Sequence, residues 1–210
     1  MDKVLVQFFD FLKQQGYVSP ELITLLKRHI KHESFPQKNT CLLKAGEVSN
    51  KMYFIISGLL RGEVLREDEE VERWQSSRFM METETVFNVA SFGKNIPSKE
   101  SIYTLAPTEA LTLTREEFFA IAKICPEFIE LAFTMALESW GEANYQSAAL
   151  NPLDTKGKVK WLMKHRPEWI SRVPEKHLAT FLGTTPENYS RIKKKLMKAG
   201  NDKRKPGEAA

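Results

Sequence analysis

Apolar positions recur at steps of three and four at the head of the chain, where Val4, Leu5, Phe8, Phe9 and Leu12 share one face of a helix predicted over residues 2–15. Gly16 stops it. Ser19-Pro20-Glu21 then supplies an N-cap, a proline suited to the first helical position and an early acid, so a second helix is expected through Leu22, Leu25 and Leu26. From about residue 35 to 114 the pattern changes to short apolar stretches divided by turn residues, the mark of an all-β segment. Met52–Ile56, Leu59–Leu65, Val71–Gln75, Ile102–Ala106 and Ala110–Thr114 read as strands. The acidic Glu67–Glu70 reads as a solvated turn and Pro107-Thr108-Glu109 as a hairpin connection. Short strands with Gly46, Gly58 and Gly62 at their corners suit a small jelly roll or barrel.

Helical spacing returns over Glu116–Lys123 and, past Pro126, for roughly 25 residues. There Phe133, Leu137, Trp140, Asn144 and Ser147 alternate three- and four-residue steps, the spacing of a coiled-coil seam. Such a stripe pairs with a second copy or packs on the chain's own β segment, and its spacing favours self-association. Asn151-Pro152 breaks the helix. The chain divides accordingly into residues 1–125 (helices and β-roll), 126–150 (connecting helix) and 151–210. The last part holds a helix through Val159, Leu162 and Met163 that ends before Pro167, further helices between Pro174 and about Lys198, and a charged tail.

Charge changes this picture from architecture to partner. Residues 1–150 carry 16 Lys and Arg against 21 Asp and Glu, whereas residues 151–210 carry 15 against 6, so net charge passes from −5 to +9 along a chain whose total is +4. A basic terminal segment suits a polyanion. Cys41 and Cys125 are the only cysteines and lie far apart, which signals neither a disulfide framework nor a metal cluster. No apolar run reaches the roughly 18–20 residues of a membrane span, and charges interrupt Met1-Asp2-Lys3-Val4-Leu5, so a cytoplasmic protein without a membrane partner is expected. Gly-rich phosphate loops, Gly-x-Ser-x-Gly elbows and His-Glu-x-x-His helices are missing from the sequence, and an enzyme is not expected.

Within the basic segment, residues 173–196 have the spacing of a helix-turn-helix. Two short helices that cross steeply need a small residue at their contact, which Ala179 provides, and a turn residue tolerant of positive φ, which Gly183 provides. Leu178 and Leu182 face inward from the first helix, and Tyr189, Ile192 and Leu196 from the second. Thr185 serves as N-cap and Pro186 as first residue of that second helix. The side left outward holds Glu187, Asn188, Ser190, Arg191, Lys194 and Lys195, joined by Lys193 and Lys198. Arginine can fork onto guanine, asparagine onto adenine, and glutamate can accept from cytosine. The lysines add affinity for any duplex. Double-stranded DNA is thus the expected partner. The competing reading is a ligand- or partner-binding sensor whose helix-turn-helix survives only as packing.

The order β-roll, long helix, helix-turn-helix resembles the Crp/Fnr superfamily of transcription regulators over about residues 40–198. The echoes are Lys44-Ala45-Gly46-Glu47, Met52-Tyr53-Phe54-Ile55-Ile56-Ser57-Gly58-Leu59 and Pro97-Ser98-Lys99-Glu100-Ser101-Ile102, which resemble the branch common in Bacteroidetes-like bacteria. The resemblance implies an α+β fold: N-terminal helices with a double-stranded β-helix (jelly-roll) sensor, a long dimer helix and a winged-helix-like DNA-binding domain. It also implies a homodimer along Pro126–Leu150, two recognition helices in successive major grooves, an effector or partner on the β-roll, and RNA polymerase as a further partner.

Cyclic-nucleotide binders of this fold use a glutamate for the ribose and an arginine for the phosphate. The corresponding pocket here would comprise Phe87, Asn88, Val89, Ser98 and Lys99. Val89 cannot accept from a ribose, and Lys99 lacks the guanidinium fork. No cofactor is therefore expected, cyclic nucleotide included, and the effector stays unassigned. Iron–sulfur sensing needs about four cysteines, and His29, His32, His165 and His177 all fall outside the expected β segment, which disfavours haem. Arg166–Val173 leaves space for little more than a turn where relatives place a β-hairpin wing.

Overall fold

A computed structural model describes residues 3–68 and 71–202. It opens with two amphipathic helices, α1 (Lys3–Gln15) and α2 (Pro20–His29). Ser19 caps the second, its Oγ accepting from the Leu22 N–H at 3.0 Å. Eight strands follow among the described residues: β1 (Lys31–Phe35), β2 (Cys41–Leu43), β3 (Lys51–Ser57), β4 (Leu60–Asp68), β5 (Val71–Met80), β6 (Thr85–Val86), β7 (Glu100–Thr104) and β8 (Thr108–Thr114). A short helix, α3 (Val89–Lys94), lies between β6 and β7. All pairings are antiparallel, in two four-stranded sheets ordered β1-β8-β3-β6 and β2-β7-β4-β5.

That topology corrects several sequence expectations. β7 and β8 belong to different sheets, so the stretch through Pro107 crosses between layers and closes no hairpin. β1 and β2 were missed because each lies at a sheet edge, where one flank faces water and no apolar alternation is demanded. Their presence starts the roll at Lys31 and puts His32 inside it, with Nε2 at 2.9 Å from Glu109 Oε2 on the solvent side of the β1–β8 ladder. Glu67 and Asp68 extend β4, while positions 69–70 of the expected acidic turn lie outside the described residues.

Strand alternation separates two cores. On β3, Met52 and Phe54 face the helices while Tyr53 and Ile55 face the interior of the roll. Leu111 and Leu113 on β8 join the first set and Ala110 the second. The helix-facing core takes in Phe8, Leu12, Leu22 and Leu26, each large buried side chain contributing roughly 1.5–3 kcal/mol. α4 (Arg115–Ile124) closes it and starts from a capping box between Thr114 and Glu117.

After Cys125 the chain enters α5 (Glu127–Leu150), a 24-residue helix anchored at its start by Phe128 and Leu131. Its middle is bare: Phe133, Leu137 and Trp140 are 62%, 49% and 66% exposed. Four helices follow among the described residues, α6 (Thr155–His165), α7 (Pro167–Arg172), α8 (Glu175–Phe181) and α9 (Pro186–Asp202). Pro167 starts α7 rather than merely ending α6, because a proline at the first helical position loses no intrahelical bond. Among the described residues beyond Leu150 there is no strand, and α7 stands where a hairpin wing was considered, against the winged-helix-like expectation. A third core joins these helices to the roll, with Leu59, Phe79, Met81 and Leu105 packed against Val159, Leu162, Trp169, Val173 and Leu178.

Candidate nucleic-acid interface

The turn between α8 and α9 follows from local backbone chemistry. Leu182 ends α8, and Gly183 takes φ +70°, a left-handed conformation that glycine adopts without steric cost. The Gly183 N–H donates to the Thr180 carbonyl at 3.1 Å and the Thr184 N–H to the Ala179 carbonyl at 2.9 Å, the paired bonds of a Schellman stop. Thr185 then caps α9, its Oγ1 accepting from the Asn188 N–H at 3.3 Å and its carbonyl from the Tyr189 N–H at 2.9 Å. Leu178, Ala179, Leu182 and Tyr189 are buried between the helices, and Ile192 and Leu196 pack against them. Burial pushes the Tyr189 phenol up to about 12, with the Glu175 carboxylate adding to the effect, so it is a neutral core group.

On the other side of α9, Glu187, Arg191, Lys194, Lys195 and Lys198 are exposed, as are Thr185 and Pro186 at its start. Ser190 and Asn188 are half-buried. Lys193 departs from the expected set: its Nζ donates to Glu175 Oε1 at 3.0 Å, tying α9 back to α8, so it is committed to an internal ion pair. Asn188 Nδ2 donates to Thr184 Oγ1 at 2.8 Å, and Arg191 Nη2 donates to Asn188 Oδ1 at 2.6 Å. Thr184 was not singled out from the sequence, because its role depends on where the turn places its hydroxyl.

The helix-turn-helix does not hang free. α8 lies on β5, where Thr180 Oγ1 meets Ser76 Oγ at 2.9 Å and the Phe181 ring meets Phe79 at 5.6 Å. Phe79 also meets Trp169 of α7 edge-on at 5.1 Å. Arg61 Nη1 of β4 donates to His177 Nδ1 at 2.7 Å, which requires a neutral imidazole. Burial first, then the charges of Arg61 and Lys176, hold His177 down at about 4. Arg172 forks onto Glu82 at 2.6 and 2.8 Å and also reaches the Gly58 carbonyl at 2.8 Å. Gly58 itself, at φ +129°, tolerates no side chain, since a Cβ would stand 2.8 Å from Thr108 Cα.

No family model and no curated sequence matches the chain, and the comparisons that do match are of shape. The c-di-GMP-responsive global regulator CLP of Xanthomonas campestris aligns at 18% identity over 85% of this chain and 91% of its own, with TM-score 0.66. FixK2 of Bradyrhizobium japonicum aligns at 15% identity over 86% and 89%, with TM-score 0.69. A transcriptional regulator of the crp/fnr family from Eubacterium rectale aligns at 15% identity over 87% and 85%, with TM-score 0.67. The fold is that of the Crp/Fnr regulators.

In this Crp/Fnr fold the residues expected to line a ligand pocket are engaged in local contacts, and Arg78 Nη2 also donates to the Phe87 carbonyl at 3.1 Å. Val89 is 55% exposed and Lys99 is exposed, while Asn88 is spent as the cap of α3, its Oδ1 accepting from the Ser91 N–H at 3.0 Å. Phe87 stacks edge-on against Phe92 at 5.0 Å. The Ser98 hydroxyl is consumed by the Glu100 backbone, donating to its carbonyl at 2.8 Å and accepting from its N–H at 3.0 Å. The acidic group buried here is Glu100, 7% exposed. Its carboxylate accepts from Ser77 Oγ at 2.6 Å and from Arg78 at 3.0 and 2.7 Å. The Arg78 guanidinium at this end of the roll is thus engaged by a buried carboxylate. Among the described residues no cluster suits a metal ion, and no helix is long and apolar enough to cross a membrane.

Proposed function

We propose that the chain is a cytoplasmic DNA-binding transcription regulator of the Crp/Fnr type, with α9 as the helix that enters the major groove. The observation that carries the reading is the two-sidedness of α9: one side is built into the core by Tyr189, Ile192 and Leu196, and the other exposes Glu187, Arg191 and the lysines. α9 packs on α6 and α8, while α8 meets the roll, and of the outward side Lys193 and Asn188 are engaged internally while Glu187, Arg191, Lys194, Lys195 and Lys198 are exposed. This arrangement sets Glu187 and Arg191 near the helix start, where base edges are read, and Lys194, Lys195 and Lys198 further along, where phosphates lie.

The proposed division is a sensor domain over residues 1–125, with its eight strands wound as a jelly roll, a dimer helix over 126–150 and the DNA-binding domain over 151–210. Two copies join along α5, whose exposed Phe133, Leu137 and Trp140, followed by Asn144, form an apolar stripe that no other part of the described chain covers. The roll acts without cyclic nucleotide, since the Arg78 guanidinium at this end of the roll is already engaged by the Glu100 carboxylate. RNA polymerase is the further partner.

The test is fluorescence anisotropy of the full chain on a duplex recovered by selection from random DNA. Arg191→Ala weakens binding to the selected duplex by roughly 1–3 kcal/mol, whereas Lys194→Ala weakens selected and unrelated duplexes alike and lowers the salt slope by about one. Titrations of wild type and both variants that coincide would remove the reading.

A further inference from the structure

Arg191 does not reach outward unassisted. Asn188 lies one turn before it, and Thr184 lies one turn before Asn188, in the turn of the helix-turn-helix. We propose that Asn188 is a positioning residue that holds Arg191 in its reading geometry and is not itself a reader of adenine, an inference that rests on α9 being the recognition helix. To pair with adenine, an asparagine must offer its carbonyl oxygen and its amide N–H₂ together. Both already carry a bond here, and the two bonds together hold the plane of the amide that a base would have to engage. Oδ1 receives Arg191 Nη2 at 2.6 Å, and Nδ2 donates to Thr184 Oγ1 at 2.8 Å.

The orientation of the amide is fixed by its partners. Arginine is only a donor, so a flipped amide would set N–H₂ against guanidinium N–H, which is repulsive. Asn188 is half-buried, and its part-buried bond to Thr184 anchors the amide. The guanidinium gives up one of five N–H donors and retains the others for a guanine edge, with its rotamer set before DNA arrives. A long side chain so held loses less freedom on binding than a free one.

The experiment is selection from random duplex DNA with the full chain as wild type, Arg191→Ala, Asn188→Ala and Thr184→Val. Asn188→Ala and Arg191→Ala are expected to relax the same base-pair position, each by about tenfold, with the other positions kept. Thr184→Val, which removes only the far support, relaxes that same position to a smaller extent. The inference alone is overturned when Asn188→Ala changes an A·T position distinct from that of Arg191, or changes none, while Arg191→Ala still relaxes its own. A wild type that enriches no sequence removes the recognition reading and the inference together. Unchanged thermal melting of Asn188→Ala separates lost positioning from lost folding.

Discussion

Replacing His177 by glutamine should remove much of the acid sensitivity of the chain between pH 6.5 and 4. His177 is buried at the seam between α8 and β4, accepts from Arg61, and is held at about 4 against an ordinary 6.5 by burial and then by Arg61 and Lys176. Glu63 pairs with the other arm of Arg61, which keeps that guanidinium in place beside the imidazole. In the unfolded chain the imidazole takes up its proton near pH 6.5, and in the folded chain only near 4, so throughout this interval the unfolded state binds more protons. Stability therefore falls as pH falls. The contribution is complete above pH 6.5. Integrated over the interval, about 2 kcal/mol is lost by pH 5 and about 3 kcal/mol by pH 4. Glutamine keeps an acceptor for Arg61 and does not titrate, while every carboxylate titrates alike in both chains and cancels from the difference. Urea unfolding followed by far-ultraviolet circular dichroism reads the effect directly. The wild type should lose about 2 kcal/mol more than His177→Gln between pH 7 and 5. Parallel losses in the two proteins would refute a neutral, buried imidazole at this seam.

Phe79→Ala removes a ring that touches both Trp169 and Phe181, and a loss of about 3–5 kcal/mol is expected in thermal or urea unfolding. Glu82→Gln weakens the half-exposed fork with Arg172, a loss of about 1 kcal/mol at pH 7 after solvent screening. Because its bond to Arg172 holds Glu82 at about 2, that contribution is full above pH 4.5 and disappears as pH falls toward 2, a slope the variant should lack in acid titrations. Leu137→Glu puts a charge in the exposed stripe of α5, and sedimentation should show a dimer becoming a monomer without loss of helix content.

The elements legible in the sequence are those whose residues satisfy a local rule. Ser19-Pro20 starts α2, Gly183 and Thr185-Pro186 fix the turn and the start of α9, and the 3.6-residue period of α1 and α5 stands in the apolar spacing. The outward face of α9 was readable for the same reason, since a helix start at Pro186 settles which side chains project. Elements whose stability is borrowed from neighbours were not. β1, β2 and β6 are short strands held by ladders to partners 31 or more residues away, and α7 is a single turn and a half closed by Trp169 against Phe79.

Within the candidate site the same line divides what was foreseen from what was not. That Arg191 and Lys194 would be outward, and Tyr189 inward, followed from helical period and polarity alone. That Lys193 would be drawn to Glu175, that Asn188 would be locked between Thr184 and Arg191, and that Glu100 would bury itself against Arg78 depended on atoms brought together by the fold. Backbone preferences act over four or five residues and are written in the local order of side chains. A buried ion pair or a docked helix is decided by distances across the folded chain, where burial raises the cost of every unpaired polar group and so selects its partner.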